Sequence, residues 1–304
     1  ITGLNSEIGL FGCVKLANIG VFNLNINNAN ITGKSRDCAI LFAKLEISEN
    51  GICIIQDSEL KGFIEGTSNC GAFAGYVSAK DNAALNITNC NIDITSDNYE
   101  KRWDGSKYNC YYKGGVIGKY NSEASESQLL LNAVDCNVKI ATYEEYGGWD
   151  KCVAGGMLGE VIGNARIYVY QCAVRGNIIS ASGEGYAGGI IGKLTSASVY
   201  KQSDTYVTAG ITSGWHVSGY TYNAGGFFDG PIEKKPAGYI KNSYFAGKSD
   251  SAVGFIAKDK LGIGTEVNAS FKIYNSYYNE DLLVNKLYHS DWGCNRIENS
   301  VVNC

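Results

Sequence analysis

The stretch Gly114-Gly115-Val116-Ile117-Gly118 decides the fold, because it is the clearest of eight copies of one five-residue pattern. Each copy has two small residues, two apolar residues and a third small residue. The other copies are Ile8-Gly9-Leu10-Phe11-Gly12, Ala39-Ile40-Leu41-Phe42-Ala43, Gly71-Ala72-Phe73-Ala74-Gly75, Gly155-Gly156-Met157-Leu158-Gly159, Gly188-Gly189-Ile190-Ile191-Gly192, Gly225-Gly226-Phe227-Phe228-Asp229 and Val253-Gly254-Phe255-Ile256-Ala257. A motif that returns roughly every 30 to 40 residues indicates a solenoid.

A second pattern follows the first along the chain. It is a run of alternating apolar residues that ends in a polar residue and then Cys or Ser, at 85–90, 133–136, 168–172, 239–244 and 273–278. The alternation and the abundance of Ile, Val, Tyr and Thr predict strands, and no stretch of useful length has helical periodicity. We expect the Cys or Ser to point inward at a tight bend, where a small side chain fits.

These patterns predict an all-β parallel solenoid, a right-handed β-helix of about eight irregular coils. A repeat of about three short strands cannot bury its apolar face alone, so the repeats must stack. We expect one domain over 1–304, with repeats over about 6–280 and a capping segment at 281–304. The motif glycines have a structural interpretation, since no phosphate-binding glycine pattern is present.

The pairing of Gly-Gly-apolar-apolar-Gly with Asn-Cys/Ser-Tyr resembles the GLUG-type repeats of bacterial and protist surface proteins. The segment 273–280 is especially similar to their Asn-Cys/Ser-Tyr-Tyr signature, and the resemblance covers about 6–280. It implies a β-solenoid stalk like those of adhesins, although such repeats also accompany secreted proteases. The first, second and last copies depart from the glycine positions, so we expect irregular or capping coils there.

The composition narrows the classes of binding partner that we expect. The chain has 26 basic and 30 acidic residues, a net charge of −4 and no basic run, so a nucleic acid partner is not expected. No apolar stretch predicts a transmembrane span, so direct membrane insertion by this segment is not expected. A surface rich in Asn, Ser, Thr, Gly and Tyr is typical of secreted, extracellular or cell-surface β-proteins. Asn30, Asn86 and Asn268 lie in N-glycosylation patterns.

The eleven cysteines allow two interpretations. Cys90, Cys136 and Cys172 fall at what looks like one repeat position and are expected to be buried thiols. A second group is expected to form disulfides, as extracellular chains do, but the sequence leaves the connectivity open. This second group comprises Cys110, Cys152, Cys294 and Cys304.

The sequence carries little sign of catalysis. It has only two histidines, His216 and His289, and neither a His-Glu-x-x-His motif nor a Cys–His signature. Its acidic residues, Glu160 and Asp204 among them, are scattered and are expected to be solvated. Asp104 and Asp150 each follow a Trp and could align in neighbouring coils. No metal, cofactor or enzymatic activity is predicted.

Aromatic residues concentrate in three insertions, at 97–112, 142–151 and 213–223, which occupy the same slot of the repeat. Loops from one slot leave a solenoid at one edge, which is often its binding face. Alternatively, the rings fold down to cover the core. The candidate binding residues are Trp103, Tyr111, Tyr112, Tyr143, Tyr146, Trp149, Trp215, Tyr220 and Tyr222.

Three functions follow from these features. The first is a non-catalytic adhesion or ligand-binding module at a cell surface, which binds a host or cell-surface glycan or protein through the aromatic edge. The second is a self-associating subunit of a surface layer or filament, for which bare solenoid ends would be the distinguishing feature. The third is a β-helix enzyme that acts on polysaccharide.

Overall fold

A computed structural model describes residues 1–6, 8–33, 37–66, 68–97, 112–143, 152–181, 185–213, 223–225, 227, 236–248, 252–253, 271–278, 297–298 and 301–302. These residues form strands, turns and bends without any helix, and therefore no helix that could cross a membrane. The strands stack in parallel as a β-solenoid, so the predicted fold class is confirmed.

The first three coils occupy the N-terminal third of the chain. Their strands are β1 (Asn5–Ser6), β2 (Gly12–Phe22) and β3 (Asn25–Gly33), then β4 (Cys38–Ala39), β5 (Phe42–Gln56) and β6 (Glu59–Gly66), then β7 (Cys70–Gly71), β8 (Ala74–Ala79) and β9 (Ala84–Asp97).

The next three coils contain the longest strands. They are β10 (Tyr112–Gly114) and β11 (Ile117–Tyr143), then β12 (Val153–Gly155), β13 (Leu158–Tyr170) and β14 (Ala173–Ala181), then β15 (Tyr186–Gly188), β16 (Ile191–Leu194), β17 (Val199–Ser203), β18 (Tyr206–Val207) and β19 (Gly210–Ser213).

Shorter strands continue the stack toward the C-terminus. They are β20 (Asn223–Gly225), β21 (Ala237–Lys241), β22 (Tyr244–Phe245), β23 (Ala252–Val253), β24 (Phe271–Tyr274), β25 (Tyr277–Tyr278), β26 (Ile297–Glu298) and β27 (Val301–Val302).

Two parallel sheets wrap around the core. The short strands form a seven-stranded sheet in the order β4-β7-β10-β12-β15-β20-β23, and the other twenty strands form one larger sheet. From β4 to β25, each coil passes once through the small sheet and then through the large one, which places the core between them.

In seven of the eight copies of the five-residue motif, the residues that the structure describes stack in register. Gly155, for example, pairs with Gly188, which pairs in turn with Gly225. The first copy is shifted by one residue, because Gly12 pairs with Phe42. The second copy, which was expected to be irregular, stacks in the same ladder. Insertions between copies therefore leave the motif register intact.

The glycines of this corner are required by close approach of neighbouring coils. A Cβ atom at Gly156 would overlap the carbonyl oxygen of Gly189, one coil away. The Gly156 amide donates to the Gly188 carbonyl at 3.0 Å, so the two backbones are also tied together. We call the turn formed by the stacked five-residue motifs the glycine corner.

A second corner is formed by residues with left-handed backbone angles. Its residues are Asn23, Asp57, Asn89, Ala133, Gln171, Asp204, Asn242 and Asn275, with φ between 47° and 53°. The next residue turns inward, and a hydroxyl or thiol there donates to the carbonyl two residues earlier. Ser243 Oγ, for example, lies 2.9 Å from Lys241 O, and Cys172 Sγ lies 3.1 Å from Tyr170 O. The predicted inward bend is confirmed, and we call it the left-handed corner.

The register corrects the assignment of Cys136 to this corner. Val134 pairs with Cys90, whereas Cys136 pairs with Ile92, two residues further along the strand. All three thiols of Cys90, Cys136 and Cys172 are nevertheless buried, as predicted.

Two large polar side chains of the core, those of Tyr200 and Lys113, have hydrogen-bond partners. Tyr200 is fully buried and donates its hydroxyl proton to Gln202 Oε1 at 2.6 Å. Lys113, only 2% exposed, donates to the carbonyls of Ala141 at 2.9 Å and Ser96 at 3.4 Å. Such bonds offset much of the desolvation of these groups.

Candidate functional site

The three aromatic insertions begin and end on stacked positions. Their C-terminal ends lead into β10, β12 and β20, whose first residues Tyr112, Val153 and Asn223 share one ladder with Tyr186 of β15. The residues at or next to the N-terminal ends of the insertions also stack, in the ladder Asp97, Ala141, Ile179 and Thr212. The bases of the insertions therefore lie along one edge of the solenoid.

Most of the predicted aromatic binding residues lie outside the described residues. These are Trp103, Tyr111, Tyr146, Trp149, Trp215, Tyr220 and Tyr222. The residues considered for a catalytic role, Asp104, Asp150, His216 and His289, also lie outside the described residues. Tyr112 opens β10 and is half-buried, and Tyr143 is the last residue of β11.

Tyr112 is held by a charged cluster at the base of this edge. Lys119 Nζ lies 4.3 Å from the centre of the Tyr112 ring and 2.8 Å from Glu160 Oε2. Lys193 Nζ lies 3.5 Å from Glu160 Oε1 and 5.0 Å from the centre of the Tyr186 ring. The cluster therefore anchors Tyr112 by packing.

Glu160 was expected to be solvated, and this prediction is wrong. It is only 2% exposed and accepts a hydrogen bond from Thr195 Oγ1 at 2.8 Å. Its ladder neighbours are Lys119 and Lys193, so two ammonium groups flank one carboxylate. A buried charge needs this kind of compensation, which a linear sequence does not reveal.

A second aromatic surface lies on another side of the solenoid. It is built on the outward positions of β13, β17, β21 and β24, which are successive neighbours in the large sheet. We call it the tyrosine–lysine face, and it consists of Tyr168, Tyr170, Lys201, Tyr239, Lys241 and Tyr274, all half-buried.

Cations and rings alternate along this face. Lys201 pairs with Tyr168 on one side and Tyr239 on the other, and its Nζ lies 5.8 Å and 6.0 Å from the two ring centres. Lys241 Nζ lies 5.9 Å from the centre of the Tyr274 ring. Each ammonium group is within the distance of a cation–π contact.

The rings also contact one another. Tyr168 and Tyr170 have ring centres 6.1 Å apart, and those of Tyr239 and Tyr274 are 5.9 Å apart, both tilted. Burial, followed by a hydrogen bond with Tyr239, raises the pKa of the Tyr170 hydroxyl well above its usual range. The Tyr170 phenol therefore stays a neutral hydrogen-bonding group near neutral pH.

This face can hold a ligand by stacking and by charge. In the part of the chain that the structure describes, neither Lys201 nor Lys241 forms an ion pair. Aromatic rings with polar edges and nearby cations suit the flat face of a sugar ring or the centre of a protein interface. Sequence reasoning missed the face because its residues share a surface only once the repeats are aligned. The signal was the outward position of Tyr168 and Tyr170 on either side of the buried Val169.

No catalytic or metal site emerges from the described ranges. No group of three or more His, Cys, Asp or Glu there could hold a metal ion. Burial raises the pKa of Cys53 to about 12 and is the main cause that raises the pKa of Cys90 to about 11. A thiol must ionise to act as a nucleophile, so these two are not activated for that role.

The modification sites fall in different places. Asn30 is exposed on β3, and Asn86 is half-buried on β9. Cys152 is buried directly before β12. Asn268, Cys110, Cys294 and Cys304 lie outside the described residues, so the predicted disulfides and glycosylation remain predictions.

The fold and these surfaces define the chain as a parallel β-solenoid with an aromatic face. No family model, no curated protein and no solved structure matches it. The resemblance to GLUG-type repeats therefore remains a hypothesis based on the two motifs.

Proposed function

We propose that this chain is a non-catalytic ligand-binding or adhesion module that acts outside the cell or at its surface. Its ligand is a glycan or a protein, bound by the tyrosine–lysine face and by the aromatic insertions. The observation that carries the proposal is the alternation of Tyr168, Lys201 and Tyr239 on successive strands. The resemblance to adhesin repeats is consistent with it.

The first experiment tests the tyrosine–lysine face. Wild type, Tyr239→Ala and Lys201→Ala are applied to a glycan array and to immobilised cell-surface protein. Loss of a stacking ring or its cation at the centre of a binding surface should weaken binding about tenfold or more.

Tyr76→Ala is the matched control for this experiment. Tyr76 is also a half-buried tyrosine with a lysine above it, since Lys44 Nζ lies 5.4 Å from its ring centre. It lies on β8, outside the tyrosine–lysine face. Equal affinity of all three variants and wild type would remove this face from the proposal.

The aromatic insertions are tested separately with Trp103→Ala and Trp149→Ala. We expect weaker binding with an unchanged melting temperature. Destabilisation of about 3 kcal/mol or more, as for truncation of a core aromatic residue, would instead show that these rings pack against the core.

Self-assembly is the second candidate function, and the N-terminal coil favours it. Among the described strands, β2 pairs only with β5, which leaves its other edge open. Phe11 and Phe22 are 47% and 54% exposed there. An open strand edge beside apolar side chains is a template for another chain.

Light scattering on the purified chain, with and without reductant, distinguishes the two functions. Growth with concentration that is lost in Phe22→Lys but kept in Tyr206→Lys would support assembly through β2. Tyr206 is the control because it is 42% exposed on β18, away from this end. If the chain were a monomer at all concentrations, self-assembly would be excluded and only the binding-module proposal would remain.

A further inference from the structure

Cys38 and Cys70 bring their sulfur atoms together inside the core. They are register partners on β4 and β7, in the second and third coils. Their side chains are 0% and 1% exposed, and the two Sγ atoms are 3.2 Å apart. Sequence reasoning treated other cysteines as disulfide candidates, because this contact depends on the register of the small sheet.

Hydrogen bonds hold the segments around the two thiols in place. The Cys38 amide donates to Asn69 O at 3.0 Å. Asp37 Oδ1 accepts hydrogen bonds from Ser68 Oγ at 2.8 Å and Asn69 Nδ2 at 2.7 Å. The residues immediately before the two cysteines are therefore clamped to each other, which maintains their alignment.

The backbone geometry suits a covalent link. Adjacent parallel strands lie about 4.8 Å apart, which is inside the range of Cα separations that disulfides span. Gly66 leaves space beside the sulfurs, since a Cβ atom there would overlap both Sγ atoms. To form the bond, the sulfurs must approach from 3.2 Å to about 2.0 Å.

We propose that Cys38 and Cys70 form a disulfide that links the second coil to the third when the chain folds in the presence of a small-molecule disulfide. One thiolate attacks the external disulfide and releases one small thiol, which leaves a mixed disulfide on the protein. The other cysteine then attacks the protein sulfur of that mixed disulfide and releases the second small thiol. Overall, two protein thiols are oxidised and one small disulfide is reduced to two thiols.

The timing of this reaction follows from the surroundings of the pair. The hydrogen bond to Cys70, together with burial, raises the pKa of Cys38 well above its ordinary value. Exchange requires a thiolate and access for the oxidant, and the folded core provides neither. The bond therefore forms before the two coils close and afterwards resists reductants that cannot enter the core.

The test refolds the full chain from denaturant in reduced and oxidised glutathione and then blocks the remaining thiols by alkylation. Peptide mapping by mass spectrometry under non-reducing conditions should find the peptides of Cys38 and Cys70 joined, with the mass of two hydrogen atoms lost. Native reduced protein placed in the same buffer should acquire the link at least tenfold more slowly than refolding protein.

Two variants sharpen the result. Cys70→Ala should leave Cys38 alkylated, and alanine fits because Ala154 and Ala187 continue the same ladder beyond Lys113. Cys53→Ala is the control, since buried Cys53 has Ile19 and Leu85 as register partners and should not affect the link. Alkylation of both Cys38 and Cys70 in oxidatively refolded wild type, or a link from either to another cysteine, would overturn the proposal. The wild-type map decides the matter even if a variant fails to fold.

Discussion

The glycine corner and the left-handed corner both turn the chain, but for different physical reasons. At the glycine corner, the backbone of the next coil occupies the space that a side chain would need, as at Gly156. At the left-handed corner, the chain's own φ angle is the constraint, and side chains such as that of Asn242 are accepted. The first corner therefore depends on neighbouring coils, and the second depends on the local backbone.

The largest effect is expected at the glycine corner. Gly156→Ala would force a methyl group into Gly189 O, and the strands cannot separate without breaking the ladder around the Gly156–Gly188 hydrogen bond. Overpacking of this kind should lower the free energy of unfolding by about 3 kcal/mol. Chemical denaturation followed by circular dichroism measures the change.

Gly210→Ala is the control for that substitution. Its Cβ atom would approach only the side-chain Oδ1 of Asn177 closely, at 2.8 Å, and that group can rotate away. Similar destabilisation by both alanines would mean that loss of glycine itself, and not approach of the coils, is responsible.

A smaller loss is expected from the inward hydroxyl of the left-handed corner. Ser243→Ala removes the bond from Ser243 Oγ to Lys241 O and should lower the free energy of unfolding by about 1 kcal/mol. Ser243→Cys should recover part of this loss, because Cys172 makes the equivalent contact. A cysteine variant no more stable than the alanine variant would argue against the hydrogen bond.

A gain in stability is expected at Ala133. It is the only alanine of the left-handed corner, with φ of 53°, an angle that disfavours residues with a Cβ atom. Ala133→Gly should raise the free energy of unfolding by about 0.5 kcal/mol, since glycine adopts this angle without strain. Ala84→Gly, on strand β9, should lower it instead. If both substitutions lowered the free energy of unfolding, the φ angle would not be what limits stability at Ala133.

The smallest effect separates backbone angle from side-chain bonding at the same corner. Asn242→Gly preserves the left-handed angle but removes the exposed bond from Asn242 Nδ2 to Asp204 Oδ1, which is 3.0 Å long. The free energy of unfolding should change by less than about 0.5 kcal/mol, as is common for surface substitutions. A loss of more than about 1 kcal/mol would assign the stability of this corner to its polar ladder.

The sequence was sufficient for the fold because its motifs coincide with the two corners. Motif positions such as Gly155 and Gly188 could be aligned across insertions, and their register is as expected. Cys136 was misplaced because the corner in that coil falls at Ala133, which lacks the Asn signature. The sequence therefore locates this corner only where its left-handed residue is of a type that commonly adopts that angle, such as Asn.

The candidate site was less accessible to sequence reasoning. The charge cluster around Glu160 and the tyrosine–lysine face depend on which residues of different coils lie side by side, and this varies with the length of each connection. Alternation along one strand shows that Tyr168 faces outward, but not that Lys201 lies next to it. Pairing across coils is a long-range property that a local pattern does not contain.

The edge that carries the aromatic insertions has a practical consequence. The ladder that contains Asp97 and Ala141 and the ladder that contains Tyr112 and Val153 stay in register, although the connections between them differ in length from coil to coil. The positions of the anchor points are therefore independent of the length and sequence of the segment that joins them. We expect these anchor points to serve as sites for grafting foreign peptides in adjacent rows, with a spacing set by the coils themselves.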